Sequence, residues 1–169
     1  MTMPETPVSP KTLGVLFEFT YNVAKQNIDG FSHEDSLRQP KDAGNCLNWV
    51  LGHIVAERQG MLKWMGQDPL WSDEDRERYG RGSDPIVDAS EAVKWDKILQ
   101  DLEATQELIR AALRELTPET LTAPIPQERN FLGLDSLGEM FAAYTFHEAY
   151  HAGQTGILRR ILGREGVIG

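Results

Sequence analysis

Apolar residues along the chain fall into four stretches that repeat with the period of an α-helix. The first stretch follows Ser9, a good N-cap residue, and Pro10, which favours the first helical position; it ends before Gly30. One face of this stretch carries Leu13, Leu16, Phe17, Thr20 and Ala24. The pattern therefore predicts a long first helix between Ser9 and Gly30.

The second stretch follows a polar segment, residues 31–44, that we interpret as a loop. Asn45 is the candidate N-cap, and the helix is predicted to continue to about Met65 and to stop at Gly66. Its apolar stripe consists of Leu47, Val50, Leu51, Ile54, Met61 and Met65. The same buried stripe includes His53.

The third and fourth stretches also have clear ends. The third keeps its period until Pro118, through Trp95, Ile98, Leu99, Leu102, Leu108, Ile109, Leu113 and Leu116. Ser136 and Glu139 then form a capping-box pattern, and the fourth helix is predicted to reach Leu162 and stop at Gly163.

Residues 67–88 show no sustained apolar period, so we interpret them as a long connection between the second and third helices, with room for a short helical turn. Connections in helical bundles usually have about 2–8 residues. This one is therefore predicted to be a crossover or a segment that covers a site. Four long helices without a strand predict an all-α four-helix bundle, with residues 1–169 as a single domain.

Composition and charge narrow the choice of partners. Hydrophobic residues make up 40% of the chain, and no apolar run approaches the roughly 20 residues that cross a bilayer, so we expect no membrane span. The net charge of −9 opposes binding to nucleic acid. The N-terminal residues lack the pattern of a secretion signal, and Cys46 is the one cysteine. We therefore expect a cytoplasmic location.

Three histidines lie on the predicted inward stripes. His147 and His151 are four residues apart, which places both rings on one face of the fourth helix, together with Tyr144, Gln154 and Leu158. His53 adds a third ring from the second helix. The spacing indicates a divalent metal site, and ordinary hydrogen-bonded core histidines remain the alternative. His33 falls in the polar segment and is predicted to lie at the surface.

Two sharper motifs overlap this histidine pair. Residues 147–151 read H-E-x-x-H, as in zinc metalloproteases, but Gln154 and Ile157 occupy the glycine and histidine positions of the extended metzincin pattern. Glu148 and His151 form E-x-x-H, which di-iron bundles use twice, and a second copy is missing. Neither motif is favoured.

Several neighbours of the histidines are candidates for chemistry. Three nitrogen ligands leave coordination positions open, as in catalytic zinc sites. Glu57 and Glu148 are candidate bases, with an exposed helical position as the alternative for Glu57. Trp49 and Tyr144 are candidate pocket residues, with core packing as the alternative. Cys46 shares roughly the face of His53, and a small buried apolar residue is the other interpretation.

The chain resembles a known family, the DinB/YfiT-like metal-dependent bundle proteins. The resemblance lies in residues 48–54 (NWVLGHI) and 147–154 (HEAYHAGQ), and the order of helices agrees from about residue 11 to 162. It implies a four-helix bundle in which His53, His147 and His151 bind zinc, nickel or iron. It also implies, for some relatives, a low-molecular-weight thiol as cosubstrate.

The sequence therefore predicts that the protein is a metal-dependent enzyme acting on a small molecule. A thiol-dependent S-transferase or related detoxification activity is the first hypothesis. A metal-dependent hydrolase and a non-catalytic, stress-associated metal-binding protein are the alternatives. A homodimer is compatible with a bundle of this kind, although the sequence does not indicate which face would pair.

Overall fold

The computed structural model describes residues 8–41, 44–130 and 132–167, and these contain no β-strand. The α-helices are α1 (Pro10–Ile28), α2 (His33–Leu37), α3 (Leu47–Trp64), α4 (Asp73–Arg78), α5 (Trp95–Glu115), α6 (Pro118–Leu121) and α7 (Leu137–Ile161). Single 3-10 turns occur at Ala89–Glu91 and Gln127–Arg129. The four long helices predicted from the sequence are α1, α3, α5 and α7, which confirms the all-α prediction.

The predicted capping residues account for most of the helix ends. Ser9 Oγ accepts the N–H of Thr12 at 3.1 Å, and Ser136 Oγ accepts the N–H of Glu139 at 3.3 Å. The three glycines predicted to stop helices have positive φ angles of 78°, 74° and 84°: Gly30, Gly66 and Gly163. Such angles are favourable only for residues without a Cβ, so the chain leaves each helix there.

Four local predictions were wrong. Cys46, not Asn45, holds the N-cap position of α3, and its side chain makes no capping bond. The segment 31–44 includes the short helix α2, because Ser32 and Asp35 form a capping box. Glu139 does not complete the box at Ser136; its carboxylate accepts the N–H of Asp135 at 2.7 Å instead. Leu16 is exposed (42%) and lies outside the buried face of α1.

The long helices form a ring of four neighbours. Both α1 and α3 pack against α5 and α7, so α3 and α7, which carry the three predicted ligands, are adjacent. Among the described helices, none is long and apolar enough to span a membrane.

Two apolar clusters fill the bundle along its length, and a polar layer separates them. One cluster includes Trp95 and Ile98 of α5, and the other includes Ile109 and Leu113 of the same helix. Each long helix contributes buried polar residues between the clusters: Thr20, Arg58, Thr105, Gln106 and Glu148. We call these five residues the polar layer.

The centre of the polar layer is an ion pair between Arg58 of α3 and Glu148 of α7. Arg58 Nε donates to Glu148 Oε2 at 2.8 Å, and Nη2 donates to Oε1 at 2.6 Å. The remaining guanidinium donors bond to the layer residues of α5, and Thr20 of α1 donates to Oε1 at 3.0 Å. The layer therefore bonds all four long helices to one another at one level.

The long connection between α3 and α5 lies against α3. Trp71 and Tyr79 are its buried anchors, with 4% and 0% of their surface exposed. The hydroxyl of Tyr79 donates to Asn48 Oδ1 at 2.7 Å and accepts the N–H of Val93 at 2.8 Å. These bonds hold the backbone of the connection over the part of α3 that carries His53.

Candidate metal centre

Three imidazoles from α3 and α7 converge on one point. The nitrogen atoms of His53, His147 and His151 that face this point all lie within 4.8 Å of one another. The Nε2 atom of His147 is 3.2 Å from the Nε2 atom of His53 and 3.2 Å from that of His151. Two nitrogens bound to a tetrahedral zinc ion at about 2.05 Å lie about 3.3 Å apart. The spacing therefore suits one shared ion.

Hydrogen bonds on the far side of two rings fix their orientation. His53 Nδ1 donates to the backbone carbonyl of Tyr79 at 2.7 Å, and His151 Nδ1 donates to Gln154 Oε1 at 2.7 Å. Carbonyl oxygens can only accept, so Nδ1 carries the proton in both neutral rings. The Nε2 lone pairs then point at His147, which is how proteins commonly orient metal-ligating histidines.

The donor set fits a cation better than it fits internal hydrogen bonding. The Nε2 atoms of His53 and His151 are both acceptors, and His147 Nε2 can offer at most one proton to the two of them. At least one lone pair would then face another nitrogen without a proton between them. A divalent cation is attracted by all three lone pairs at once, so the residues present suit a metal ion.

The surroundings keep the imidazoles neutral. Burial lowers the pKa of each of the three histidines. For His147 the pKa falls to about 4, through burial first and then through the neighbouring His151, His53 and Arg81. Because only the neutral ring binds a metal, this shift prepares the site for an ion over a wide pH range.

A cavity of about 530 Å³ reaches the histidines at His147. Its apolar wall consists of Ala56, Leu132, Met140, Ala143 and Phe146, and its polar lining includes Glu57, Arg76, Arg81 and Tyr144. The volume is in the range of small-molecule sites. A ligand of modest size would thus have access to one side of the proposed ion.

Glu57 is half-buried at this cavity, not exposed. Burial raises the pKa of its carboxyl, while the charges of His151, Arg76 and Arg81 act in the opposite direction. Tyr144 lines the same cavity. Of the residues predicted to lie near the three histidines, Glu57 and Tyr144 are the ones that line this cavity.

The other predicted neighbours contact histidines or lie elsewhere. The ring of Trp49 stacks on His53, with centroids 4.8 Å apart and planes at 14°, and its Nε1 donates to Ser83 Oγ at 3.0 Å. Gln154 orients His151 as described. Both carboxylate oxygens of Glu148 are occupied by the polar layer, so its side chain lies on a different face of α7 from the histidine pair.

Cys46 and His33 lie outside the group. Cys46 is fully buried in the core, and burial raises the pKa of its thiol. His33 is half-buried in α2, which corrects the surface prediction, and its Nδ1 accepts the N–H of Trp95 at 3.3 Å. Among the described residues, the group suited to a metal consists of His53, His147 and His151.

Sequence reasoning missed four residues of this region. Tyr79 acts through a backbone carbonyl, and every residue has one, so its identity gave no signal. Arg58 lies on a buried helical face, where charged residues are unusual. A charged residue at such a position indicates a buried partner, and this signal could have been used. Arg76 and Arg81 lie in the charged connection and resembled ordinary surface residues.

The comparisons with known proteins agree with this fold. The family model of the DinB superfamily matches residues 16–155, from α1 to α7, so the chain belongs to the DinB superfamily. A crystal structure of a conserved protein from Enterococcus faecalis is similar, with a TM-score of 0.70 at 16% identity, covering 95% of this chain and 98% of that one. At that identity the likeness concerns the fold alone. The comparison with curated proteins gives no significant match.

Gly52→Ala is expected to weaken metal binding about 10- to 100-fold, the usual effect of disturbing a group that orients a metal ligand. A Cβ at this position would overlap the ring of Tyr79. The ring would have to move, and the carbonyl that holds His53 Nδ1 would move with it. The affinity is measured by titration against a chromogenic chelator.

Gly153→Ala is the matched control for this substitution. Gly153 lies two residues from His151, and a Cβ there meets no atom within 4 Å. The control should bind metal as the wild type does and gain up to about 1 kcal/mol of helix stability. Equal affinities for the two variants would show that Tyr79 does not hold His53 in place.

Metal occupancy is expected to persist below about pH 6, because the lowered pKa values of the three histidines keep their rings neutral where free imidazoles are protonated. The unfolded rings have a pKa near about 6.5, whereas the folded rings have lowered values. Between these limits the unfolded chain binds more protons, so the metal-free protein loses stability as the pH falls from about 6.5. Imidazole NMR resonances and metal analysis across pH 4–8 provide the measurement; loss of metal between pH 6 and 7 would contradict the prediction.

Proposed function

We propose that this protein is a metal-dependent enzyme that transfers a small thiol to an electrophilic substrate, with His53, His147 and His151 as the ligands of zinc, nickel or iron(II). The observation that carries the proposal is the convergence of three imidazoles, two of them oriented by hydrogen bonds at Nδ1, at the edge of a ligand-sized cavity. A structural ion is normally enclosed by four protein ligands. Here three are found among the described residues, and a cavity borders one of them.

A divalent ion at these nitrogens would favour the deprotonated, nucleophilic form of a thiol. The chain supplies the remaining functions. Glu57, whose pKa is raised by burial, accepts the thiol proton at its carboxylate. The sulfur forms a bond to the electrophilic carbon, and the leaving group departs with the electron pair of its bond. The apolar wall of the cavity holds the substrate and excludes water.

Hydrolysis is the second candidate function. The observation that favours it is the position of the Glu57 carboxylate in the lining of the cavity. A carboxylate beside a cavity and a metal site can take a proton from water as well as from a thiol. The two reactions differ in the nucleophile, and Glu57 has the same role in both. A non-catalytic metal-binding protein is the remaining outcome.

Cobalt substitution separates these three outcomes. The cobalt protein is mixed with cysteine, glutathione and other small thiols, and conjugation to 1-chloro-2,4-dinitrobenzene is measured. A sulfur-to-cobalt charge-transfer band together with metal-dependent conjugation supports the transferase. Hydrolysis of model esters without a thiol band supports the hydrolase. If neither occurs and metal removal only lowers the melting temperature, the ion is structural.

Glu57→Gln tests the assigned base. The variant should keep its metal content, because Glu57 is not among the three nitrogen ligands, and should lose turnover by about 10²- to 10⁴-fold, the usual contribution of a general base. Glu103→Gln, an exposed change on α5, is the control of equal charge. Full turnover in Glu57→Gln would remove this residue from the mechanism.

A further inference from the structure

The cavity beside His147 has an excess of positive charge in a negatively charged protein. Its charged lining consists of two guanidinium groups, Arg76 and Arg81, and one carboxylate, Glu57. These sum to one positive charge, whereas the chain as a whole carries −9. A cationic cavity attracts anions, whereas the rest of the surface of an acidic protein repels them.

Both guanidinium groups have N–H donors that bond to no other described residue. Arg76 Nη1 bonds to Asp73 at 2.7 Å, but its Nε is buried without a hydrogen-bond partner among the described residues. For Arg81, no hydrogen bond or ion pair is found within the described parts of the chain. A guanidinium has five N–H donors in a planar fork that matches a carboxylate. A buried donor without a partner is unfavourable, and a ligand oxygen would relieve this cost.

The opposite side of the cavity is apolar. Leu132, Met140, Ala143 and Phe146 line it. Of these, Leu132 is 47% exposed and Phe146 is 75% exposed. Large apolar side chains that remain exposed beside a cavity are typical of a surface that a ligand covers. The ligand space thus has a cationic part, an apolar part and a metal site at His147.

We propose that this cavity binds an organic carboxylate with an apolar body. The carboxylate lies at Arg76 and Arg81, and the apolar body lies on Leu132, Met140 and Phe146, close to His147. This ligand is the electrophilic substrate of the enzyme proposed above, so the assignment of a substrate class rests on that proposed function. Arg76 and Arg81 then select acids over their neutral analogues.

Matched pairs of ligands test this selection. The metal-loaded protein is titrated calorimetrically with 4-phenylbutanoate and octanoate and with the corresponding neutral amides. The acids should bind about ten- to a hundredfold more tightly, as expected for charge-assisted hydrogen bonds. The double variant R76Q/R81Q should lose most of this preference. R114Q removes one charge from an exposed position on α5 and should retain it.

The metal ion also attracts a carboxylate, and a second measurement distinguishes binding at the ion from binding at the arginines. His151→Ala, stripped with a chelator, should still prefer acids to amides if the arginines select them. A preference that disappears with the metal, that survives in R76Q/R81Q, or that is absent in the wild type overturns the proposal. If acids bind more tightly than amides but no thiol transfer is found, the carboxylate site is supported and the proposed reaction is contradicted. If transfer occurs equally with neutral electrophiles, the reaction is supported and this inference is contradicted.

Discussion

Replacing His53, His147 or His151 by alanine is expected to abolish stoichiometric metal binding. Each substitution removes one of the three nitrogen donors that converge within 4.8 Å. The loss of affinity should exceed the roughly 10- to 100-fold loss caused by disturbing a residue that only orients a ligand. Elemental analysis of protein purified without a metal-affinity tag gives the stoichiometry, and titration against a chelator gives the affinity.

His33→Ala is the control, since it removes the remaining histidine of the four. His33 contacts the start of α5 through the N–H of Trp95 and lies outside the three-histidine group. Its metal content should equal that of the wild type. If His33→Ala loses metal as the other variants do, or if His53→Ala retains a full equivalent, then these three histidines are not the ligands.

Glu148→Ala is expected to lower the free energy of unfolding by about 3–5 kcal/mol, the cost of leaving one member of a buried ion pair without its partner. Arg58 and Glu148 have only 2% and 5% of their side-chain surface exposed. Without the carboxylate, the guanidinium would remain in the core with its charge uncompensated. Urea unfolding of the metal-free protein measures the effect without a contribution from metal binding.

Two further variants show whether the effect comes from burial of the charge. Glu91→Ala breaks the Arg78–Glu91 pair, in which Glu91 is 53% exposed, and should change the free energy of unfolding by less than about 1 kcal/mol. The double variant Arg58→Met with Glu148→Met removes both charges and should recover much of the loss. If Glu148→Ala is as mild as Glu91→Ala, the polar layer does not stabilise the bundle.

The sequence by itself determined the four long helices and the histidine pair of α7. Ser9, Ser136, Gly30 and Gly66 mark helix ends through local backbone geometry, which depends on residues only a few positions apart. The four-residue spacing of His147 and His151 places them on one face of any helix. These features are local, so a one-dimensional pattern is sufficient to predict them.

Other parts of the site were only partly predictable. His53 lay on an inward stripe, but its approach to α7 follows from the neighbour relations of the four helices. The long connection was expected to cross over or to cover a site, and its packing against α3 depends on the burial of Trp71 and Tyr79. For these residues the sequence indicated candidate roles, and the contacts between distant segments decided which roles are realised.

Only the tertiary structure decided the structural roles of Glu148, Tyr79 and Arg81, which depend on the groups that each residue contacts. Glu148 is next to His147 in the chain, yet a step of about 100° around the helix turns it to Arg58 in the polar layer. Tyr79 is 26 residues from His53, and its carbonyl orients that ring. Arg81 lines the cavity because the connection folds back over α3. Each role depends on a partner far away in sequence, and no local pattern of residues encodes which partner that is.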